Sequence, residues 1–306
     1  RRDGRPRPCP KKGTGGSRQP LLLSNATWSL GLLPAWGGRI AHLRADGLDL
    51  LLPIAAESFD PLDWPRAGAY PLMPYSNRIR NAHLHFEGRD YALPVHPAAQ
   101  PHTLHGVAHA VPWQVVEQGD QWLTLACDYQ GEHWPWAFRA EQRFVLDGKR
   151  LRIELALVNR GETPMPAGLG LHPYFQRHPG MKVRYQAGRE WQIDDQYLAT
   201  GDFREVTQAL LIDADAAHGL AHYQSCWDGQ LQLDYTSATL CLQASEPLSH
   251  FVAFAPAGSP YLCLEPVSHL ADAFNQPRDS WEQTGTHELA PGQRLQASLD
   301  FTWQRR

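Results

Sequence analysis

From residue 20 onward, apolar and polar residues alternate with a period of two along most of the chain, and Gly, Pro, Asn and Asp interrupt the alternation at short intervals. That period belongs to a strand with one buried face, because successive side chains point to opposite sides of a sheet. Residues 142–158 are the clearest case. In the second half of this run Leu151, Ile153, Leu155 and Leu157 share one face while Arg152 and Glu154 take the other, and Asp147-Gly148 between the halves supplies a hairpin turn. Similar runs occupy residues 28–33, 122–129, 231–233, 239–243, 251–254 and 295–301. Helical periodicity is nearly absent. Many short strands with 25 Gly and 25 Pro predict an all-β fold, a large antiparallel β-sandwich. No fixed repeat suggests a propeller.

Composition then divides the chain. Residues 1–19 are rich in Arg, Lys, Gly and Pro and hold no large apolar side chain, so they cannot offset the entropy of ordering and are expected to be a disordered basic tail. Residues 20–306 are expected to form a single domain. The longest apolar runs, such as residues 48–54, are too short to cross a bilayer. The basic start is not followed by a long apolar stretch with a cleavage site, so a cytoplasmic protein is expected. Cys9, Cys127, Cys226, Cys241 and Cys263 are scattered and form no C-x-x-C pair, which fits neither a disulfide framework nor a thiolate zinc site. Seven of the 28 Lys and Arg but one of the 32 Asp and Glu fall in residues 1–18, leaving the remainder at −10. A body that acidic is a poor nucleic-acid groove. The expected partner is a small molecule, bound by a monomer or homodimer.

Four polar clusters stand out from the strand pattern. In Gly168-Leu169-Gly170-Leu171-His172-Pro173-Tyr174-Phe175 an imidazole lies between an apolar run and a proline, which predicts His172 at a strand end, where it can titrate near neutral pH and pass a proton to a bound molecule. Tyr261-Leu262-Cys263-Leu264-Glu265-Pro266 places a carboxylate in the same kind of position, where partial burial would tune its basicity. The bland readings are a corner histidine and an edge-blunting charge. In Tyr75-Ser76-Asn77-Arg78-Ile79-Arg80, Arg78 follows Pro71 and Pro74 and can be aimed at ligand hydroxyls by a stiff loop, or serve as a surface ion-pair partner. His102, His105 and His109 would share one face of a helix and suggest a metal, but Pro101, Thr103, Gly106 and Val107 oppose a helix, so no metal is expected. Trp134, Trp136 and Trp227 are candidates for stacking on a sugar ring, or for core positions.

In this order, the clusters resemble the aldose 1-epimerase (galactose mutarotase) family. The resemblance runs over most of residues 24–303 and rests on Gly37-Gly38-Arg39-Ile40, Asn77-Arg78-Ile79, Leu104-His105-Gly106, His172-Pro173-Tyr174-Phe175, Glu265-Pro266 with Asp272-Ala273-Phe274-Asn275, and Pro291-Gly292 before a last strand. It implies a β-supersandwich with an open cleft for a monosaccharide and cofactor-free acid/base chemistry. Glu265 would be the base at the C1 hydroxyl and His172, as imidazolium, the acid at the ring oxygen. Arg78, His105, Asn77 and Trp227 would hold the sugar. An aspartate that the family uses for sugar hydroxyls falls on Ala221 here, and Asp228 matches a different position; Gly168, Leu171 and Gln176 also depart from the family pattern. Two alternatives accompany this reading: a mutarotase for phosphorylated hexoses, with Arg80, Arg177 and Arg189 as candidate phosphate ligands, and a non-catalytic sugar-binding protein of the same fold.

Overall fold

The computed structural model describes residues 19–215 and 218–306. The tail expected over residues 1–19 lies outside the described residues except for Gln19. Among the described residues, 18 strands join in one hydrogen-bonded sheet system, while Met165–Ala167 pairs separately with His287–Leu289 and His83–Phe86 with Arg89–Ala92. The pairings are antiparallel throughout the system. The single α-helix among the described residues is the short Trp281–Thr284. The all-β architecture read from the alternation is therefore the one observed.

Trp28–Leu33 and Trp122–Tyr129 have the bounds that the pattern predicts, and the expected hairpin is Phe138–Asp147 with Arg150–Asn159, turning at Gly148 with φ 58°. The run at residues 231–233 is only the end of a 15-residue strand, Leu220–Asp234. Alternation conceals the rest of that strand because the ladder against Lys182–Ile193 slips between Tyr185 and Ala187, opposite Gly229 with φ 81°, and Cys226 nearby is left-handed with φ 54°. At Gly229 a Cβ would lie 2.6 Å from the Ala244 carbonyl oxygen, so glycine is required for packing as well as for conformation.

Four neighbouring strands position the site. Gly170–Gln176 runs between Ala69–Leu72 and Tyr261–Val267, and Tyr261–Val267 continues the sheet to His250–Ala255. Their odd and even positions part company. Leu171, Phe175, Leu262, Leu264, Phe251 and Ala253 enter the large sandwich core with Leu30, Phe144, Ile153 and Phe301. Tyr70, Leu72, Tyr174, Cys263, Val267 and Val252 form a second, smaller cluster on the opposite face.

One expectation is corrected here. His172 and Glu265 are not at strand ends but inside Gly170–Gln176 and Tyr261–Val267. Pro173 is tolerated because its missing N–H would face Tyr261–Val267, and pairing with that strand lapses between Gly170↔Val267 and Tyr174↔Cys263. On its other side the strand stays paired, with Leu171 opposite Pro71 and His172 opposite Tyr70.

Candidate active site

The register of these strands sets the floor of a cleft. Gly170 pairs with Val267 and Tyr174 with Cys263, so His172 lies opposite Glu265. On the far sides, Tyr70 neighbours His172 and Val252 neighbours Glu265, followed by Tyr223 opposite Val252. A single row across the sheet therefore reads Tyr70, His172, Glu265, Val252, Tyr223. Cross-strand neighbours are close enough for direct contact, and His172 Nε2 is 3.5 Å from a Glu265 carboxylate oxygen. The Tyr70 ring stacks on the His172 imidazole at 4.6 Å between centroids, which fixes the ring plane. Above this floor is a cavity of about 180 Å³, walled by Trp64, Tyr174, Tyr197, Phe254 and Tyr261 and reached by Asn77, Arg78, His105 and Arg66.

The segment carrying Asn77 and Arg78 has no strand partner, and its backbone N–H groups are satisfied by side chains from distant parts of the chain. Ser76 N–H donates to His269 Nε2, Asn77 N–H to His105 Nδ1, Ile79 N–H to Thr103 Oγ1, Arg80 N–H to Asp272 Oδ1 and Asn81 N–H to His102 Nδ1. His105 N–H returns a bond of 2.8 Å to the Asn77 carbonyl. Asn77 and His105 both adopt left-handed backbone, with φ of 63° and 62°, a conformation kept by this reciprocal pair of bonds. Gly106 completes the approach: a Cβ there would meet the Met73 carbonyl oxygen at 2.4 Å. The motifs that looked like ligands in sequence thus serve first as clamps that hold Arg78 over the cleft. Arg78 lies over the Tyr197 ring at 5.2 Å and within 3.4 Å of Asn77 Oδ1.

Burial dominates the electrostatics of the floor. It lowers the His172 imidazolium to about 3 and raises the Glu265 carboxyl to about 8, with Arg78 pulling Glu265 partly back down. At neutral pH the pair shares one proton and carries no net charge, and burial favours that proton on Glu265. In the free protein burial therefore opposes the imidazolium that the resemblance assigns to His172. Nδ1 of His172 is buried and, among the described residues, bonds to no other residue, which leaves Nε2 facing Glu265 as its working atom. His105 is held well below the ordinary imidazole range by burial and by the neighbouring His172. Ligand-capable atoms of His105, His172 and Glu265 lie within 4.8 Å of one another, an arrangement that invites comparison with a metal site. The donor chemistry disfavours it: Nδ1 of His105 accepts the Asn77 N–H, so the His105 proton resides on Nε2, which is then a donor and not a ligand.

A family model for aldose 1-epimerase matches residues 22–302. The chain belongs to the aldose 1-epimerase family. Its similarity extends to the uncharacterized protein YphB of Escherichia coli K12, 28% identical over 255 residues that make up 78% of this chain and 84% of YphB. A solved Escherichia coli K12 structure described as a candidate aldose 1-epimerase superposes with a TM-score of 0.81 at 25% identity, covering 93% of this chain and 98% of that one. A galactose mutarotase-like protein from Clostridium acetobutylicum has the same fold, with a TM-score of 0.82 at 17% identity over 93% of this chain and 95% of its own. The aldose 1-epimerase family acts on sugars, and the β-sandwich here is its galactose mutarotase-like form.

Against that family pattern, the fold brings His172, Glu265, Arg78, His105 and Asn77 together at one cavity. Trp227 is not among them. It is buried against Phe251, and its indole N–H donates to the Gln230 carbonyl, because residue 227 falls on the core face of its strand beyond the bulge. Trp134 and Trp136 are likewise core residues. Arg80 pairs with Asp272, Arg189 with Glu205, and Arg177 donates to the Tyr261 and Ala214 carbonyls, so none of the three lines the cleft. Ala221 is exposed, opposite Phe254, and Asp228 caps a turn by accepting the Gln230 N–H. Two residues after Ala221, on the same strand face, Tyr223 lines the cleft and its hydroxyl lies 3.4 Å from Asn77 Oδ1. Sequence reasoning missed Arg66, Tyr197, Tyr223, Phe254 and Tyr261. Parity with Glu265 points to Tyr261, and the paired strands extend it to Phe254 and Tyr223; Arg66 and Tyr197 lie in loops that carry no such signal.

Proposed function

We propose that the chain, acting as one domain over residues 20–306, is an aldose 1-epimerase that interconverts the α and β anomers of a free monosaccharide without a cofactor. The observation that carries this is the 3.5 Å separation of His172 Nε2 and the Glu265 carboxylate at the floor of the cleft. In a cyclic aldose the anomeric carbon bears both the hydroxyl that must lose a proton and the ring oxygen that must gain one. The base and the acid must therefore be neighbours, and these two are. One group removes the O1 proton as the C1–O1 double bond forms; the C1–O5 bond breaks, and the other group protonates O5. Rotation about C1–C2 turns the opposite carbonyl face toward O5. Closure then runs the two transfers backward, so each group serves once as acid and once as base, and the pair ends with the single proton it began with.

The starting position of that proton decides which sugar orientation reacts. With the proton on Glu265, which burial favours, the carboxyl faces O5 and His172 faces O1. With the proton on His172 the orientation is the reverse. Arg78 and His105 Nε2–H are donors placed at the cavity, suited to hydroxyls of the same ring. The presence of both acid/base groups at one point favours catalysis over sugar binding alone. The test is polarimetry or NMR on freshly dissolved pure anomers of a panel of aldoses. Acceleration in the wild type that disappears in Glu265→Gln and His172→Asn supports the reading, and unchanged rates in both variants sink it.

A further inference from the structure

The charges of the cleft do not balance. Glu265 is the only acidic side chain in its lining, whereas Arg66 and Arg78 both reach it. A third guanidinium, Arg39, is fully buried behind the floor, 4.7 Å from the Tyr70 ring that stacks on His172. Among the described residues, the partners of all three are carbonyls, an amide oxygen and rings. Arg39 donates to the Trp36 and His109 carbonyls and meets His109 Nδ1; Arg66 donates to the Trp64 carbonyl and lies over its ring; Arg78 reaches Asn77 Oδ1. Several arginines elsewhere are paired with carboxylates, Arg139 with Asp128, Arg152 with Asp300, Arg305 with Asp46 and Arg306 with Asp234. The cleft is thus a positive site in a body that is acidic by sequence, and low-dielectric walls concentrate such a field on whatever enters.

Arg78 faces the Glu265 carboxyl, but Arg66 has no acidic side chain beside it in the lining, and the uncharged hydroxyls of a neutral hexose would not supply one. Arg66 is exposed at the mouth, on a loop fixed by the Trp64 indole N–H donating to the Tyr174 hydroxyl, and Arg78 is half-buried on the opposite wall. We infer that the preferred substrate is an anionic aldose, bearing a carboxylate or phosphate away from C1, with Arg66 as the counter-ion for that group and Arg78 holding the ring. The assignment of C1 to His172 and Glu265 rests on the mutarotase reading; the charge of the ligand does not. It also replaces Arg80, Arg177 and Arg189, the cations that sequence order suggested for a phosphate, with one that the tertiary fold delivers.

The experiment compares kcat/KM for anomerisation of glucose and galactose with that for glucuronate, galacturonate and glucose 6-phosphate, in wild type, Arg66→Ala and Arg66→Lys. At least one charged sugar is expected to exceed its neutral parent by about tenfold or more at low ionic strength, with the advantage shrinking as salt is added, since an exposed charge is screened. Whether the uronates or the phosphate shows it separates the two sources of charge. Arg66→Ala should cost the charged sugar about tenfold more than the neutral one, and Arg66→Lys should recover part of that difference. Equal kcat/KM for charged and neutral sugars, or an equal loss for both in Arg66→Ala, overturns the inference while leaving the mutarotase reading intact. Calorimetry with the methyl glycosides of glucuronate and glucose, locked at C1, distinguishes the opposite case. Binding of the charged glycoside that depends on Arg66, with no sugar anomerised, would retain the anionic ligand and remove the catalytic reading; no such binding and no anomerisation would remove both.

Discussion

The two faces of the strands Gly170–Gln176 and Tyr261–Val267 differ in almost everything except their backbone. On one face Leu171, Phe175, Leu262 and Leu264 are buried among apolar neighbours, where burial is favourable and needs no partner. On the other, His172 and Glu265 are as deeply buried, with His172 at 5% and Glu265 at 4% exposure, and there burial works against each charged form. Identical burial thus stabilises one face and stores chemical potential on the other. The core face holds the sheet in place so that two buried titratable groups are kept 3.5 Å apart.

Substituting one residue on each face separates their contributions. Glu265→Gln and His172→Asn are expected to lower anomerisation by about a hundredfold or more, as loss of a positioned acid or base does, while retaining the far-ultraviolet signature of a folded β protein. Phe175→Ala is expected to do the converse, lowering unfolding free energy by about 3–5 kcal/mol in urea titration with a far smaller effect on kcat than either site variant. If both kinds of substitution cost activity and stability alike, the two faces are not functionally separate.

Titration sharpens it further. The working form of the pair holds one proton, so activity should be level between about 3 and about 8 where the fold persists, and fall tenfold per pH unit once Glu265 deprotonates. Arg78 stabilises the Glu265 carboxylate, so Arg78→Ala should move the alkaline limb upward in a pH–rate profile. A downward shift would show that Arg78 does not act on that carboxyl.

The smallest effect is on stability. A carboxyl whose value is raised in the folded state binds more protons there than in the unfolded chain, so its contribution is present at low pH and is lost as pH rises from the ordinary carboxylate range through about 8. Relative to Glu265→Gln, the wild type should therefore lose a few degrees in Tm between pH 5 and pH 9. A constant difference across that range would mean that Glu265 is not desolvated in the free protein.

Legibility along the sequence followed the same division. The hairpin expected over residues 142–158 was readable because Leu151, Ile153, Leu155 and Leu157 alternate with Arg152 and Glu154 and its turn is marked by Asp147-Gly148. Leu220–Asp234 was mostly hidden, since bulges at Cys226 and Gly229 shift the phase of the pattern. The same phase shift misled the reading of Trp227, which looks like a cleft aromatic in sequence and packs on Phe251 in the fold. Pro173 and Pro266 suggested strand ends because proline lacks an N–H, but the ladder simply skips a bond there. His102 and His105 gave no sign in sequence that their Nδ1 atoms accept the N–H groups of Asn81 and Asn77.

The β architecture was readable from sequence, because a period of two is a property of the local backbone, and sequence singled out His172, Glu265 and Arg78 as candidates, because their motifs lie within short contiguous stretches. Only the tertiary structure decided which atoms meet. The opposition of residues 172 and 265, separated by more than ninety positions, is set by strand register, and the arrival of Arg66, Tyr197 and Tyr223 at the same cavity is set by loops and bulges whose paths depend on packing. The protonation of the floor was likewise beyond the sequence, since desolvation is a property of everything that surrounds a group and not of the group or its neighbours in the chain.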